Sequence, residues 1–180
     1  MNKNNNLDIK LLQQTINEIL PNLNMYARDV ELDNKLAMKY KIGMIIKEKG
    51  FTDASCRVMG MVTSHRFAIL SNHMADLREM EQGTNWGLFV AQRDAHFKVL
   101  DIYEYKGKTQ ILLLHLPDDE RWRLFENIEL SVEESIVADC RKRFEDKCLL
   151  EPIPELAKRD WLDRCVFPLG MSDEGDFFKI

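Results

Sequence analysis

Histidine side chains bind metal ions and exchange protons near neutral pH, and this 180-residue chain contains four of them. Two of them, His65 and His73, flank the apolar run in "VTSHRFAILSNHMADL", which covers residues 62–77. Zinc sites built within one segment place their ligands closer together, for example at positions i and i+4 of a helix. A strand of about five residues instead holds its ends roughly 17 Å apart. The segment therefore predicts a turn at His65, a helix cap next to His73 and no local metal site.

A polar site in this chain would have to be assembled from distant segments, as most pockets are. His115 ends a very apolar strand, and Arg93 and Asp94 lie just before the hairpin that contains this strand. The candidate residues are His65, Arg66, His73, Arg93, Asp94 and His115. This hypothesis predicts a concave pocket in which at least two of the candidates meet. The alternative for each histidine is a structural role, and His96 is expected to be exposed.

Motifs for covalent catalysis or nucleotide binding are absent from the sequence. It contains no G-x-S-x-G nucleophile elbow, no G-x-x-x-x-G-K-[ST] phosphate loop and no G-x-G-x-x-G turn. The cysteines form no C-x-x-C pair and are predicted to be reduced and mostly buried; they are Cys56, Cys140, Cys148 and Cys165. From motifs we therefore predict no catalytic residue, no metal ligand and no cofactor.

Charge is distributed unevenly along the chain, whose net charge is −5. Residues 1–117 contain 15 Lys/Arg and 13 Asp/Glu, whereas residues 118–180 contain 10 and 17. An acidic C-terminal third argues against affinity for nucleic acid, which needs a basic surface. It favours a protein partner, with contacts predicted at Asp173, Glu174 and Asp176. Trp86 is a further candidate contact because tryptophan is frequent in binding hot spots.

Hydrophobic periodicity predicts an α+β fold. Helices are expected at 7–20, 33–49 and 72–83, and after Pro117 at 118–127, 131–150 and 154–165, with Asp118 as an N-cap. Short strands are expected at 56–63, 66–70 and 86–92, followed by a hairpin over 96–117 that turns at Lys106-Gly107. The pattern predicts a central antiparallel meander of about five strands within 56–116, covered by N-terminal and C-terminal helices.

These observations predict one domain over residues 1–180, with residues 1–6 frayed and residues 118–180 forming an acidic helical module on the sheet. No apolar run approaches the roughly 20 residues that cross a bilayer, and the N-terminus lacks the apolar core of a signal peptide, so a cytoplasmic protein is expected. The preferred function is a non-enzymatic protein-binding domain, a profile similar to that of immunity proteins. The alternative is an enzyme or small-ligand binder that uses His65, Arg66, His73 and His115. A homo-oligomer is left open.

Overall fold

The computed structural model describes residues 3–180, and the side chains of residues 8–180. Helix α1 (Lys3–Ile19) ends just before Pro21, as the apolar pattern predicts, because proline cannot continue a helix. The fraying expected of residues 1–6 falls partly on residues 1 and 2, which lie outside the described residues. Residues 3–6 belong to α1.

The described residues form an α+β fold around an eight-stranded mixed sheet. Its strands are β1 (Asn24–Val30), β2 (Ile45–Glu48), β3 (Thr52–Ser55), β4 (His65–Ser71), β5 (Ala75–Asp76), β6 (Leu88–Ala91), β7 (Ala95–Tyr105) and β8 (Lys108–His115). They are ordered β2-β7-β8-β4-β1-β3-β6-β5. The predicted five-strand antiparallel meander is therefore wrong, because three strands precede residue 56 and because β4 pairs with β8 in parallel.

The long hairpin is confirmed, and its turn explains its geometry. Lys106 and Gly107 both have positive φ, 49° and 74°, which is the conformation of a type I′ turn. Tyr105 pairs with Lys108 as predicted. A bulge between Val99 and Asp101 then shifts the register by one residue. Consequently Phe97, and not Lys98, lies opposite His115.

Three other predicted elements differ from those that the structure contains. The helix expected at 33–49 shortens to α2 (Asn34–Ala37), since Gly43 adopts a left-handed φ of 86° and the following residues join the sheet as β2. The strand expected at 56–63 is a loop, and Thr63-Ser64-His65 is consequently not a hairpin turn. The helix expected at 72–83 is the short strand β5 followed by one 3-10 turn, Arg78–Met80.

The C-terminal helices also differ from the prediction. Residues Glu120–Phe125 form a 3-10 helix that Asp119, and not Asp118, caps. Helix α3 (Glu133–Cys148) follows, and the last helix is divided into α4 (Pro154–Ala157) and α5 (Arg159–Arg164). The remaining tail docks on the body, where the Tyr40 hydroxyl donates a hydrogen bond to the Leu169 carbonyl at 2.6 Å.

Both faces of the sheet are buried, and different parts of the chain cover them. On one face Leu112 and Leu114 pack with side chains from α1, from the 3-10 helix Glu120–Phe125 and from α3. On the other face Phe67 and Ile111 pack with residues 32–46 and with the tail. The predicted helices from the two ends of the chain thus cover one face of the sheet. Residues 32–46 and the tail cover the other face, which the sequence did not predict. The strand β4 in the middle is buried along its whole length.

Candidate functional site

Two histidines meet at the edge of the sheet where the parallel strands β4 and β8 end. Leu70 of β4 lies beside Leu114 of β8, so the next residues on each strand, Ser71 and His115, are also neighbours. His73 follows β4 by two residues, and the rings of His73 and His115 stack with centroids 4.0 Å apart. Because the carboxyl ends of parallel strands share one edge of a sheet, this pairing brings the two segments together.

His115 is fully buried and makes only part of the hydrogen bonds that its ring can make. Its Nδ1 lies 2.9 Å from the Ser71 hydroxyl. Its Nε2 has no aligned hydrogen-bond partner among the described residues, although Oδ1 of Asp118 is 3.3 Å away. Phe97 stacks on the other side of the ring, with centroids 5.0 Å apart. The ring is therefore held firmly while one nitrogen faces a carboxylate.

His73 is half-buried, and its neighbours fix its tautomer. Asn72 donates both amide hydrogens to the carbonyls of Glu18 and Pro21, at 2.8 and 3.0 Å. Its Oδ1 therefore faces Nδ1 of His73 at 2.9 Å and requires that this nitrogen carry a proton. Burial, assisted by His115, lowers the pKa of His73 despite the opposing effect of Asp118. Nε2 on the other side of the ring lies 3.3 Å from the Leu116 carbonyl oxygen.

Asp118 completes the group. Its carboxylate lies 4.0 Å from Nε2 of His73 and 3.3 Å from Nε2 of His115. Burial raises the pKa of Asp118, but the two histidines and Gln92 outweigh this effect and hold the pKa below its ordinary value. The two histidine nitrogens and the carboxylate oxygen all lie within 4.8 Å of one another. An anionic oxygen thus stands beside two nitrogen electron-pair donors.

The group opens into a surface cleft of about 370 Å³. The lining residues are Glu18, Ile19, Asn72, His73, Pro117, Asp118, Asp119 and Arg121. Arg121 is engaged by Glu18 at 2.5 Å and by Asp119 at 2.8 Å. Three carboxylates against one guanidinium make the wall net negative. We call this space the histidine cleft.

The other candidate site residues lie elsewhere. His65 and Arg66 begin β4, at the opposite end of the strand from His73. The Arg66 guanidinium forms a buried bidentate pair with Asp29 at 2.6 and 2.9 Å, which explains its burial structurally. Arg93 is exposed and reaches the Lys49 carbonyl at 3.4 Å.

Asp94 and His96, at the start of the hairpin, also lie outside the histidine cleft. Asp94 pairs with Lys47 at 3.1 Å, away from the histidine cleft. His96 is buried and stacks on Trp122 with centroids 4.3 Å apart, so the expectation that it is exposed is wrong. Neither residue lines the cleft.

The predicted partner contacts occupy two separate surfaces. Trp86 is half-buried and stacks against Trp161 with ring centroids 5.5 Å apart, so much of it serves packing. Asp173, Glu174 and Asp176 are exposed on the tail. Asp176 lies 3.6 Å from Lys39. A protein contact at either surface stays a prediction.

Sequence reasoning missed Asp118 and the reason for the convergence. Asp118 was assigned to a helix cap, although Asp119 performs that role. The available signal was two apolar runs, "RFAIL" and "ILLL": His73 comes three positions after the first run, and His115 directly follows the second. That signal becomes informative only if the two strands are paired in parallel, because parallel pairing aligns their carboxyl ends.

No protein-family model matches this sequence, and no curated protein sequence matches it. The fold is similar to parts of several solved structures. The type III effector XopAI from Xanthomonas axonopodis pv. citri is 12% identical at a TM-score of 0.47, over 53% of this chain and 42% of that chain. The ADP-ribosyltransferase HopU1 of Pseudomonas syringae is 17% identical at a TM-score of 0.45, over 52% and 46% of the two chains.

Exoenzyme S from Pseudomonas aeruginosa, solved with human 14-3-3 protein beta and carba-NAD, is 10% identical at a TM-score of 0.46. The similarity covers 71% of this chain and 62% of that chain. This chain therefore spans less than two thirds of each of these three proteins. Exoenzyme S has a protein partner, whereas a protein partner for this chain stays a prediction.

These comparisons correct the expectation of a non-enzymatic protein-binding domain, because the similar solved structures include ADP-ribosyltransferases. At such low identities and TM-scores below 0.5, the similarity assigns no reaction to this chain. The reaction has to be argued from the site. No helix among the described residues is long and apolar enough to cross a membrane.

Proposed function

We propose that this chain is an enzyme or small-ligand-binding protein whose site is the histidine cleft. The observation that carries the proposal is the convergence of His73, His115 and Asp118, whose donor atoms lie within 4.8 Å of one another at an open cleft. Two of these residues, His73 and His115, come from the candidate set; His73 lines the cleft, and His115 is buried behind it. His65, Arg66 and Arg93 have no part in the proposed site.

The chemistry that supports the proposal is the availability of an oriented lone pair. Asn72 requires a proton on Nδ1 of His73, and burial favours the neutral ring, so the lone pair of Nε2 faces two oxygen groups, the Leu116 carbonyl at 3.3 Å and the Asp118 carboxylate at 4.0 Å. Both oxygens would stabilise a proton or a cation that Nε2 takes up. An imidazole with one nitrogen anchored and the other facing a cleft has the arrangement of a general base. About a quarter of the His73 side chain, 27%, is exposed and open to a ligand.

The charge of the cleft indicates the class of ligand. The walls carry the carboxylates of Glu18, Asp118 and Asp119, while the single guanidinium, Arg121, is paired with two of them. A wall of one charge sign concentrates ligands of the opposite sign. We therefore expect a small cationic or neutral polar ligand, and not a free phosphate or carboxylate.

A ligand panel followed by protein NMR tests the proposal. The panel contains agmatine, a cation that was bound to the ADP-ribosyltransferase Vis, and NAD⁺, whose pyrophosphate gives it a net negative charge and whose carba analogue was bound to exoenzyme S. It also contains inorganic phosphate as the anion that the cleft should reject. We expect agmatine to shift the amide signals of residues 72, 73, 115, 116 and 118.

Matched variants identify the binding site in the same experiment. His73→Ala should weaken the binding at least tenfold, whereas Arg93→Ala, at an exposed position outside the cleft, should leave it unchanged. Ligand binding that persists in His73→Ala, or amide shifts confined to other surfaces, would refute the assignment of the cleft.

A further inference from the structure

We infer that the histidine cleft binds one divalent transition-metal ion, with zinc as the first choice, through Nε2 of His73, Nε2 of His115 and a carboxylate oxygen of Asp118. This inference deepens the proposed function and rests on it for the role of the cleft. Two imidazoles and one carboxylate form a ligand set typical of zinc and related metals.

The first argument is the unsatisfied nitrogen of His115. A fully buried polar atom without an aligned partner is rare and costs free energy. Nε2 of His115 is such an atom among the described residues, and the group nearest to it is an anion. A metal ion between the nitrogen and the Asp118 carboxylate would satisfy both.

Each histidine ring also has an oxygen atom next to Nδ1, the nitrogen that points away from Asp118. Metal-binding histidines usually donate their other N–H group to a neighbouring oxygen, which fixes the ring and its tautomer. Both histidines have such an oxygen at Nδ1: Oδ1 of Asn72 at 2.9 Å for His73, and the hydroxyl of Ser71 at 2.9 Å for His115. With a proton on each Nδ1, each Nε2 has a lone pair to offer the ion. Nε2 of His73 lies 3.3 Å from the Leu116 carbonyl, so the ion would take the place of that contact.

Ser71 also receives the backbone N–H of His73 at 3.1 Å, so it connects the two histidine segments. The hydroxyl oxygen has two lone pairs, and one of them remains for the Nδ1 proton of His115. The Ser71 hydroxyl, at the end of β4, therefore contacts both histidine residues. This arrangement holds the two rings in one stack.

The distances between the three donor atoms are close to those between the ligands of a zinc ion. Ligands at about 2.1 Å from a tetrahedral zinc ion lie about 3.4 Å from one another. Nε2 of His115 and Oδ1 of Asp118 are 3.3 Å apart and already meet this value. Nε2 of His73 is 4.0 Å from the other carboxylate oxygen, Oδ2 of Asp118, and its ring lies 21° from parallel to the His115 ring, so the His73 ring has to tilt as well as move closer for both lone pairs to reach one ion. Both His73 and Asp118 are more than a quarter exposed, which leaves room for this movement.

The three proposed ligands lie next to the open histidine cleft. Three protein ligands would leave a fourth position, and two of the three, His73 and Asp118, line the open cleft from which water or a ligand could reach it. Zinc sites of this kind are catalytic, whereas structural zinc sites use four protein ligands. When bound there, the metal would supply a Lewis acid and an acidified water molecule.

Zinc binding by the full chain, prepared without a histidine tag and dialysed against chelator, tests this inference. Competition with a chromophoric chelator measures stoichiometry and affinity directly, independently of any activity. We expect one Zn²⁺ per chain. His73→Ala and Asp118→Asn, both at partly exposed positions, should each weaken binding at least tenfold, and Arg93→Ala should bind as the parent chain does.

Cobalt provides a second readout, since Co²⁺ in a nitrogen- and oxygen-donor site has visible absorption that depends on its geometry. The spectrum should be lost in His73→Ala while circular dichroism shows that the variant is folded. Absence of zinc binding in the parent chain, or equal binding by the variants, would overturn the metal site. Zinc binding with no response to the ligand panel would instead support the metal site and overturn the proposed ligand function.

Discussion

At the scale of single residues, the most informative atom is Nε2 of His115. A structural histidine in a core normally has a partner on each ring nitrogen, because an unpaired buried polar atom is costly. Here Ser71 serves one nitrogen, and a carboxylate lies 3.3 Å from the other without an aligned hydrogen bond. His115 therefore has a close hydroxyl at Nδ1 and a close but misaligned carboxylate at Nε2.

Asn72 offers a test at the residue scale, because it orients His73 without touching the cleft's proposed metal ion. Asn72→Ala removes the acceptor for Nδ1 of His73, so the ring loses its fixed tautomer. We expect zinc affinity to fall by about 10- to 100-fold, the usual effect of losing such a partner. The measurement is the same chelator competition.

Asn34→Ala is the control, since Asn34 is an exposed residue of α2. It should bind zinc as tightly as the parent chain. Equal affinity in Asn72→Ala and Asn34→Ala would show that the orientation of His73 is not coupled to metal binding, contrary to the account.

At the scale of elements, the sequence predicted the β7–β8 hairpin, which depends on neighbouring residues, but not β2, which depends on a distant strand. The hairpin β7–β8 follows from a two-residue turn whose glycine tolerates positive φ, and the turn was placed correctly. The helix expected at 33–49 failed because β2 gains a partner strand, β7, which is distant in sequence. Pairing of this kind overrides periodicity, since a strand is stabilised by its neighbours.

Gly107 provides the prediction at this scale. Its φ is 74° and no atom lies within 4 Å of the position that a Cβ would take, so Gly107→Ala changes only the backbone preference. We expect a loss of about 1 kcal/mol in the free energy of unfolding, since a left-handed conformation is unfavourable for alanine. Urea denaturation measures the effect.

Gly50→Ala is the matched control, because Gly50 does not adopt a left-handed φ and its nearest neighbour is the end of the Glu48 side chain at 3.4 Å. Its midpoint should stay close to that of the parent chain. A Gly107→Ala variant as stable as Gly50→Ala would contradict the turn geometry.

At the scale of the whole molecule, the C-terminal segment is part of the folded body. Trp161 of α5 is 1% exposed and packs with Leu88 of β6 and with Cys165. Arg28 of β1 donates a hydrogen bond to the Phe167 carbonyl at 3.4 Å. The C-terminal third therefore carries acidic residues and also buries apolar side chains against the sheet.

Trp161→Ala tests this docking. Truncation of a fully buried tryptophan costs about 3–5 kcal/mol of unfolding free energy. Phe167→Ala removes a side chain that is 58% exposed, only six positions further along, and should change stability by less than about 0.5 kcal/mol. Both values come from urea denaturation. A small effect of Trp161→Ala would mean that the segment does not contribute to the stability of the body.

The candidate site was only partly predictable from the sequence, for a reason that belongs to the whole molecule. His73 and His115 were both chosen from residue type, but 41 positions separate them, and only the parallel pairing of β4 with β8 brings them together. Asp118 comes three positions after the end of β8, and its sequence context after Pro117 predicts a helix cap. Residue types can thus be identified along the chain, whereas their convergence depends on strand order.

The central claim is that His73, His115 and Asp118 form one site. The most direct measurement is the nitrogen NMR spectrum of the four imidazole rings, recorded at neutral pH before and after one equivalent of Zn²⁺. We predict that His73 is neutral with its proton on Nδ1, and that zinc shifts the Nε2 signals of His73 and His115 while His65 and His96 stay unchanged. Unchanged signals from His73 and His115, or equal shifts in all four rings, would contradict the account.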